Sequence, residues 1–200
     1  MSEKSALGLA RHAEARALLR FWFGEGSDYG GRRSEWFSKS AEFDAEIRAR
    51  FLELHEQAAS GVLANWRLAS GDCLALIVLL DQFPRNLFRG EARAFACDGL
   101  AREAARHALA QSYDREALPV ERMFYYLPFE HSEALEDQRL ACALMCPLAQ
   151  FPETDDACRY AERHREIVER FGRFPHRNAA LGRLGTPEER AFLAQPGSGF

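Results

Sequence analysis

The longest apolar run of the 200-residue chain is CLALIVLL, at positions 73–80. A helix that is apolar on every side must be surrounded by other helices, because none of its faces suits water. Pro84 disfavours helical geometry in the residue before it, so the helix should end near Phe83. The run is also far shorter than the about 20 residues that a membrane-spanning helix needs. The sequence therefore predicts a buried central helix at about residues 71–83.

Helical spacing of apolar residues continues on both sides of this central helix. Between Ala41 and Ala58 apolar side chains recur every three or four residues, and Ser40 suits the N-cap. The segment TPEE at 186–189 has the form of a capping box with proline at the first helical position. Further helices are predicted at about residues 10–23, 97–111, 119–127, 133–149 and 154–171. No run alternates apolar and polar residues as a half-buried strand does. We therefore predict the all-α class and one domain over residues 1–200.

The charge balance and the first residues limit the classes of function. Acidic residues number 30 and Lys plus Arg 26, for a net charge of -4, which lacks the basic footprint of a nucleic-acid binder. Arg11, His12, Glu14 and Arg16 carry too much charge for a signal-peptide core. We expect a cytoplasmic protein that binds neither nucleic acid nor membrane. We also expect no cofactor, since no glycine-rich phosphate loop is present.

The cysteines are the residues for which disulfide or metal chemistry has to be considered. They are Cys73, Cys97, Cys142, Cys146 and Cys158. An odd number of cysteines without an export signal argues against a disulfide framework. Their spacing matches no zinc-binding motif, so no metal site is predicted. The expectation is that they pack as small buried hydrophobic residues.

Three polar segments interrupt the helical pattern, each close to a proline or glycine that follows an apolar helix. They are LDQFPRN at 80–86, YYLPFEHSE at 125–133 and FGRFPHRN at 171–178. Pro84 and Pro128 should end the helices in the first two segments. Side chains at such junctions reach a shared cleft from rigid supports. We therefore expect the three segments to converge in space.

Asp81 is the most unusual residue of these segments. It falls in the last turn of the buried helix, where the helix dipole disfavours a carboxylate and burial of an unpaired charge is costly. It should therefore be paired, and Arg85 and Arg93 are the nearest candidates along the chain. The candidate catalytic residues are Asp81, Glu130, His131 and His176. The candidate ligand-binding residues are Gln82, Arg85, Asn86, Arg93, Tyr126, Arg173, Arg177 and Asn178.

This group of polar residues has three interpretations. It is a buried salt-bridge network that fixes the helix junctions without binding a ligand. Alternatively, it is a cleft that binds a small anion or a peptide terminus through forked arginine contacts. The third interpretation is an acid–base site that uses Asp81 or Glu130 with His131 or His176.

Two neighbouring features have ordinary interpretations. His164 lies on the apolar stripe of its helix, where a histidine is usually a core residue with one hydrogen-bond partner. The charged residues from Asp98 to Arg106 have the helical spacing of a solvated surface.

The three segments also carry a resemblance to a known family. The strings are LLDQFPRNLFRG at 79–90, YLPFEHSE at 126–133, FGRFPHRNAALGRLGTPEE at 171–189, FWFG at 21–24 and EWF at 35–37. In these strings the chain resembles the bacterial domain of unknown function 924. The resemblance implies a tetratricopeptide-repeat-like array, with antiparallel helix pairs stacked around a concave face. It implies no activity and no catalytic residue.

Folds of that repeat-like kind often bind peptides. Our leading hypothesis is therefore a binding module whose polar cleft takes a small anion, a peptide or a protein partner. An enzyme with a carboxylate–histidine pair and a purely structural network are the alternatives. The oligomeric state is left open by the sequence.

Overall fold

The computed structural model describes residues 5–196, and the regular secondary structure in this range is helical. The α-helices are α1 (Ala6–Leu9), α2 (Ala13–Phe23), α3 (Ala41–Ala59), α4 (Ser70–Ile77), α5 (Phe83–Leu87), α6 (Asp98–Ala110), α7 (Pro119–Glu130), α8 (Leu135–Met145), α9 (Ala157–Phe171) and α10 (Pro187–Leu193). The remaining helical segments are a π-turn at Val78–Gln82 and short 3-10 turns at Gly26–Asp28, Ser34–Trp36, Ala64–Leu68, Ala92–Phe95, Tyr113–Glu116, Cys146–Gln150, Pro152–Thr154 and Pro175–Arg177.

The all-α prediction is confirmed for this range. Residues 1–4 and 197–200 of the predicted domain lie outside the described part of the chain. Within residues 5–196, a helix with the length and apolar character of a membrane-spanning segment is absent. The single domain and the repeat-like arrangement stay predictions.

The central helix is longer than predicted. Its backbone stays helical through Val78 and Phe83, so α4, the π-turn and α5 form one continuous rod from Ser70 to Leu87. The expected stop near Phe83 is wrong because the π-turn shifts the hydrogen-bond pattern just before Pro84. The amide of Phe83 donates to the carbonyl of Val78, five residues back. Pro84, which has no N–H to donate, then fits without breaking the rod.

Other helices cover the central rod on all sides, as its apolar character requires. Every residue from Gly71 to Pro84 is buried. The indole of Trp22 in α2 packs on Phe83 and on Phe124 of α7, with ring centroids 5.4 and 5.6 Å apart. A second, smaller apolar cluster of Ile167, Val168 and Phe174 lies toward the C-terminal end of the chain. These contacts confirm the predicted position of the central helix in the core.

The second proline-based helix end is also wrong. Pro128 lies inside α7, which runs on to Glu130. Every residue from Met123 to Glu130 is buried, so packing of this helix outweighs the local preference of the proline. As a result Glu130 is the last residue of α7 and His131 is its C-cap.

Two cysteines form a disulfide, contrary to the expectation from the sequence. Cys146 and Cys158 are bonded, whereas Cys73, Cys97 and Cys142 are buried and free. The pair is separated by 12 residues, and the chain reverses between α8 and α9 to bring the two sulfurs together. Sequence spacing does not reveal this reversal, because it depends on how two helices pack.

The predicted helix starts at Ser40 and Thr186 are confirmed. The Ser40 hydroxyl accepts a hydrogen bond from the amide of Phe43 at 3.2 Å. In the capping box the Thr186 hydroxyl accepts from the amide of Glu189 at 3.1 Å, and the Thr186 amide donates to the Glu189 carboxylate at 2.7 Å.

Replacing Ser40 with alanine should lower the free energy of unfolding by about 1 kcal/mol, because the Phe43 amide loses its acceptor. Urea denaturation followed by circular dichroism measures the change. Ser38→Ala is the matched control, since Ser38 is exposed and its hydroxyl makes no hydrogen bond with residues 5–196. Equal losses in the two variants would show that the cap does not stabilise α3.

Candidate active site

The centre of the site is Asp81, which the π-turn places inside the protein with no exposed surface. His131 Nδ1 lies 2.8 and 2.9 Å from the two carboxylate oxygens of Asp81. The side-chain amide of Gln82 donates to one of these oxygens, and Arg85 donates to the Asp81 carbonyl. Arg85 Nη1 is also 3.5 Å from Asp81 Oδ1. Asp81 is therefore paired, as the sequence predicted, with Arg85 and with a histidine from the second segment.

These neighbours keep Asp81 ionised. Burial alone would raise its pKa, but the positive charge of Arg85 and the hydrogen bonds from His131 and Gln82 hold the pKa well below its usual range. An ionised carboxylate only accepts hydrogen bonds, so Nδ1 of His131 carries the proton in this contact. Nε2 is then the acceptor nitrogen of the neutral ring.

Asp98 joins the first and third polar segments. Its carboxylate accepts from both terminal nitrogens of Arg85, at 3.0 and 3.2 Å, and from Arg177 Nη1 at 3.2 Å. The residue is 8% exposed. The interpretation of Asp98 as part of a solvated surface is therefore wrong. Its place at the first position of α6 explains the miss, because acidic residues are common there for capping reasons alone.

Arg177 is held between two aromatic rings. Its guanidinium carbon lies 4.7 Å from the centre of Phe95 and 4.6 Å from that of Phe174. It donates to the backbone carbonyl of His131 at 2.9 Å. Burial and the nearby charge of Arg85 lower its pKa to about 10. Arg177 therefore fixes the end of α7, from which His131 projects.

Glu130 is a second buried carboxyl group beside the first. Its Oε1 lies 3.1 Å from His164 Nδ1, which also donates to the Tyr160 carbonyl at 2.9 Å. Burial, with smaller contributions from the charges of Asp81 and Asp156, raises the pKa of Glu130 to about 8. It is therefore largely protonated at neutral pH. The prediction of His164 as a buried core histidine is consistent with its 5% exposure.

Two histidines of the site, His131 and His176, are held in the neutral form. Burial and the charge of Arg85 lower the pKa of His131, although Asp81 opposes the shift. Burial and the charge of Arg177 lower the pKa of His176 to about 4. The His176 ring packs on Phe174 at 5.6 Å between centroids. The site thus combines the ionised carboxylate of Asp81 with neutral imidazoles and the neutral carboxyl group of Glu130.

Two comparisons place the chain among known proteins. Residues 18–197 match the model of a family described as bacterial protein of unknown function, DUF924. The chain belongs to the DUF924 family. It is similar to a solved structure from Agrobacterium tumefaciens, the protein of unknown function ATU0120, at 44% identity and a TM-score of 0.81. That match covers 91% of this chain and 97% of the other. None of the curated proteins matches the chain.

Several of the candidate residues of this DUF924 chain lie outside the cluster. Each is bound to an acidic partner outside the cluster by a hydrogen bond of 2.6 to 3.2 Å. The pairs are Asn86 with Asp44, Arg93 with Glu56, Tyr126 with Asp114, Arg173 with Glu189 and Asn178 with Glu189. The three segments therefore meet through one part of each segment and not along their whole length.

The cluster reaches solvent through the edges of two side chains. His131 is 15% exposed and Arg85 19%. His131 Nε2 makes no hydrogen bond with another of residues 5–196. Two surface grooves of about 710 and 720 Å³ lie elsewhere, the first beside His12 and Trp66, the second beside Arg20 and the loop at Gly24.

The raised pKa of Glu130 should make stability fall with increasing pH. The unfolded chain ionises near the ordinary value of 4.5, whereas the folded chain keeps the proton up to about pH 8. The contribution of this proton to the free energy of unfolding is therefore fully present below pH 4.5. It is lost as the pH rises from 4.5 to about 8. Glu130→Gln should remove this dependence, so the variant should gain stability relative to the wild type between pH 5 and pH 8. Urea denaturation at several pH values measures it, and parallel profiles would contradict the raised pKa.

Proposed function

We propose that the protein is an acid–base enzyme and that His131 exchanges a proton with a small substrate. The observation that carries this proposal is the contact of His131 Nδ1 with both oxygens of the buried Asp81, at 2.8 and 2.9 Å. A buried carboxylate in this position fixes the tautomer and the orientation of the ring, and it stabilises the imidazolium that forms when Nε2 takes a proton. Nε2 is the ring nitrogen that this contact leaves available to a substrate.

A second argument is the separation of the two carboxyl pKa values. The pKa of Asp81 is held low by Arg85 and His131 against the effect of burial, whereas burial raises that of Glu130 to about 8. Neighbouring groups whose environments push their pKa values apart are how one site supplies both a base and an acid. In this proposal Asp81 and His131 act as the base, and Glu130 holds the proton for the reverse transfer.

The exposed edge of the site favours an anionic substrate. The acidic side chains are inside, with Asp81 1% and Asp98 10% exposed, while the side chain of Arg85 is 19% exposed and that of His131 15%. A carboxylate or phosphate group would therefore meet positive charge first. A pure binding module is supported less well, because Asp98 already occupies both nitrogens of Arg85 and one of Arg177.

The test is incubation of the protein in D2O with a mixed library of small carboxylates and phosphate esters, followed by mass spectrometry and NMR. We expect at least one compound to be converted or to exchange a C–H proton. His131→Asn should slow this by about 100-fold or more, the usual contribution of a positioned acid–base group. His12→Asn is the matched control, because His12 also contacts a buried aspartate, Asp72, at 2.8 Å outside the cluster.

Circular dichroism establishes that both variants are folded. Conversion by His131→Asn at the wild-type rate would refute the proposal. A library in which no compound changes would favour the structural network, in which the same contacts only hold helix ends together.

A further inference from the structure

A group of metal-binding atoms lies at the turn between α8 and α9, and none of its residues belongs to the candidate active site. The sulfurs of Cys146 and Cys158 and a carboxylate oxygen of Glu162 all lie within 4.8 Å of one another. Cys146 opens the 3-10 turn after α8, and Cys158 lies in the first turn of α9. Glu162 follows Cys158 by four residues, so both side chains share one face of α9. The group arises from the packing of two helices, and the spacing of its residues therefore matches no sequence motif.

We propose that the reduced chain binds a zinc ion through Cys146, Cys158 and Glu162, and that the disulfide and the metal exclude each other. Two thiolates and one carboxylate form a donor set that suits Zn²⁺ better than Mg²⁺ or Ca²⁺, which prefer oxygen alone. Three protein ligands leave the fourth tetrahedral position for water. Glu162 is exposed and the cysteines are half-buried, so the ion can reach the site and leave it.

The geometry requires only local movement. Zinc–sulfur bonds of about 2.3 Å at tetrahedral angles hold two sulfurs at about 3.8 Å. The cysteine side chains therefore have to separate from the bonded state by rotation about their own side-chain bonds. Glu162 makes no ion pair with another of residues 5–196, so no existing contact has to break when it turns to the metal.

A small thiol is the reductant that opens the Cys146–Cys158 disulfide. Two molecules of thiol transfer two electrons and two protons to the Cys146–Cys158 bond, giving two cysteine thiols and one small disulfide. Zinc then displaces the two thiol protons as both sulfurs become thiolate ligands. The small disulfide reverses the first step once zinc has been removed. The site thus has an oxidised form without metal and a reduced form with metal.

The experiment is titration of the reduced, desalted full-length chain with zinc under nitrogen, in competition with a chromogenic chelator. We expect one zinc per chain, and with Co²⁺ the charge-transfer absorption of cobalt–thiolate bonds. The same chain oxidised to the disulfide should bind neither ion at this site. Cys158→Ser should weaken binding by at least about 100-fold, because even the loss of a hydrogen-bond partner of a ligand costs about 10–100-fold.

Two further variants, Glu162→Gln and Cys97→Ser, test whether zinc binds at this site and not elsewhere in the chain. Glu162→Gln should weaken binding without changing the redox behaviour of the two cysteines, which thiol titration measures. Cys97→Ser, at a buried thiol in another part of the fold, should bind as the wild type does. Absence of stoichiometric zinc in the reduced wild type, or wild-type affinity in folded Cys158→Ser, would overturn the proposal.

Discussion

Replacing Asp98 with asparagine should lower the free energy of unfolding by about 3–5 kcal/mol, the usual effect of removing one partner from a buried ion pair. Asp98 is the carboxylate that Arg85 and Arg177 share, and Arg177 is itself only 6% exposed. Without it, two guanidinium groups lie close together in the interior, with Asp81 and Glu133 as their remaining acidic neighbours. Urea denaturation followed by tryptophan fluorescence measures the loss.

The control for this prediction is an ion pair of the same chemistry at the surface. Glu56 and Arg93 form a contact at 2.6 Å with side chains 51% and 56% exposed. Glu56→Gln should cost less than about 1 kcal/mol, because solvent screens the pair. Similar losses for the two variants would mean that Asp98 is better solvated than its position implies.

Gly71→Ala should destabilise the protein by about 3 kcal/mol, at the upper end of the range for overpacked sites. A Cβ atom at Gly71 would lie 2.0 Å from the carbonyl oxygen of Ala6 and 2.5 Å from the amide nitrogen of Ala10. These are backbone atoms, so no side-chain rotation relieves the clash. The segment that carries α1 would have to move away from the central rod. The midpoint of thermal and urea unfolding measures the change.

Gly99→Ala is the matched control, because Gly99 is also a helical glycine. It is exposed in α6, and a Cβ there would meet nothing within 4 Å. This substitution should raise stability by up to about 1 kcal/mol, since alanine restricts the unfolded chain and favours the helix. Unchanged stability of Gly71→Ala would contradict the packing at Gly71, and equal destabilisation by Gly99→Ala would show that the loss does not come from the clash.

The sequence predicts the helices well where their boundaries depend on local chemistry. Ser40 and Thr186 cap helices as expected, because a hydroxyl at an N-cap acts on an amide three residues away. Pro84 and Pro128 were expected to end helices and do not. Their local preference is outweighed by the burial of the segments around them, which is a property of the fold and not of neighbouring residues.

The site is predictable in part for the same reason. Asp81, Arg85, His131 and Arg177 are unusual where they stand in the sequence, and the structure brings them together. Asp98 has no such local signature. Its central role is seen only in the fold, where Arg85, 13 residues before it, and Arg177, 79 residues after it, both donate to its carboxylate. Arg93 and Arg173 resemble the others in sequence but pair with carboxylates outside the cluster.

The π-turn at Val78–Gln82 amounts to one additional residue in a helix that otherwise keeps α periodicity. Each residue turns an α-helix by about 100°. Deleting one residue from this turn would let the helix continue as an α-helix. The side chain of Arg85 would then no longer point toward Asp98, and that of Asp81 would no longer point toward His131. The core would keep its apolar rod and lose the charged cluster. The difference between a plain core helix and one that holds this site is therefore a single codon.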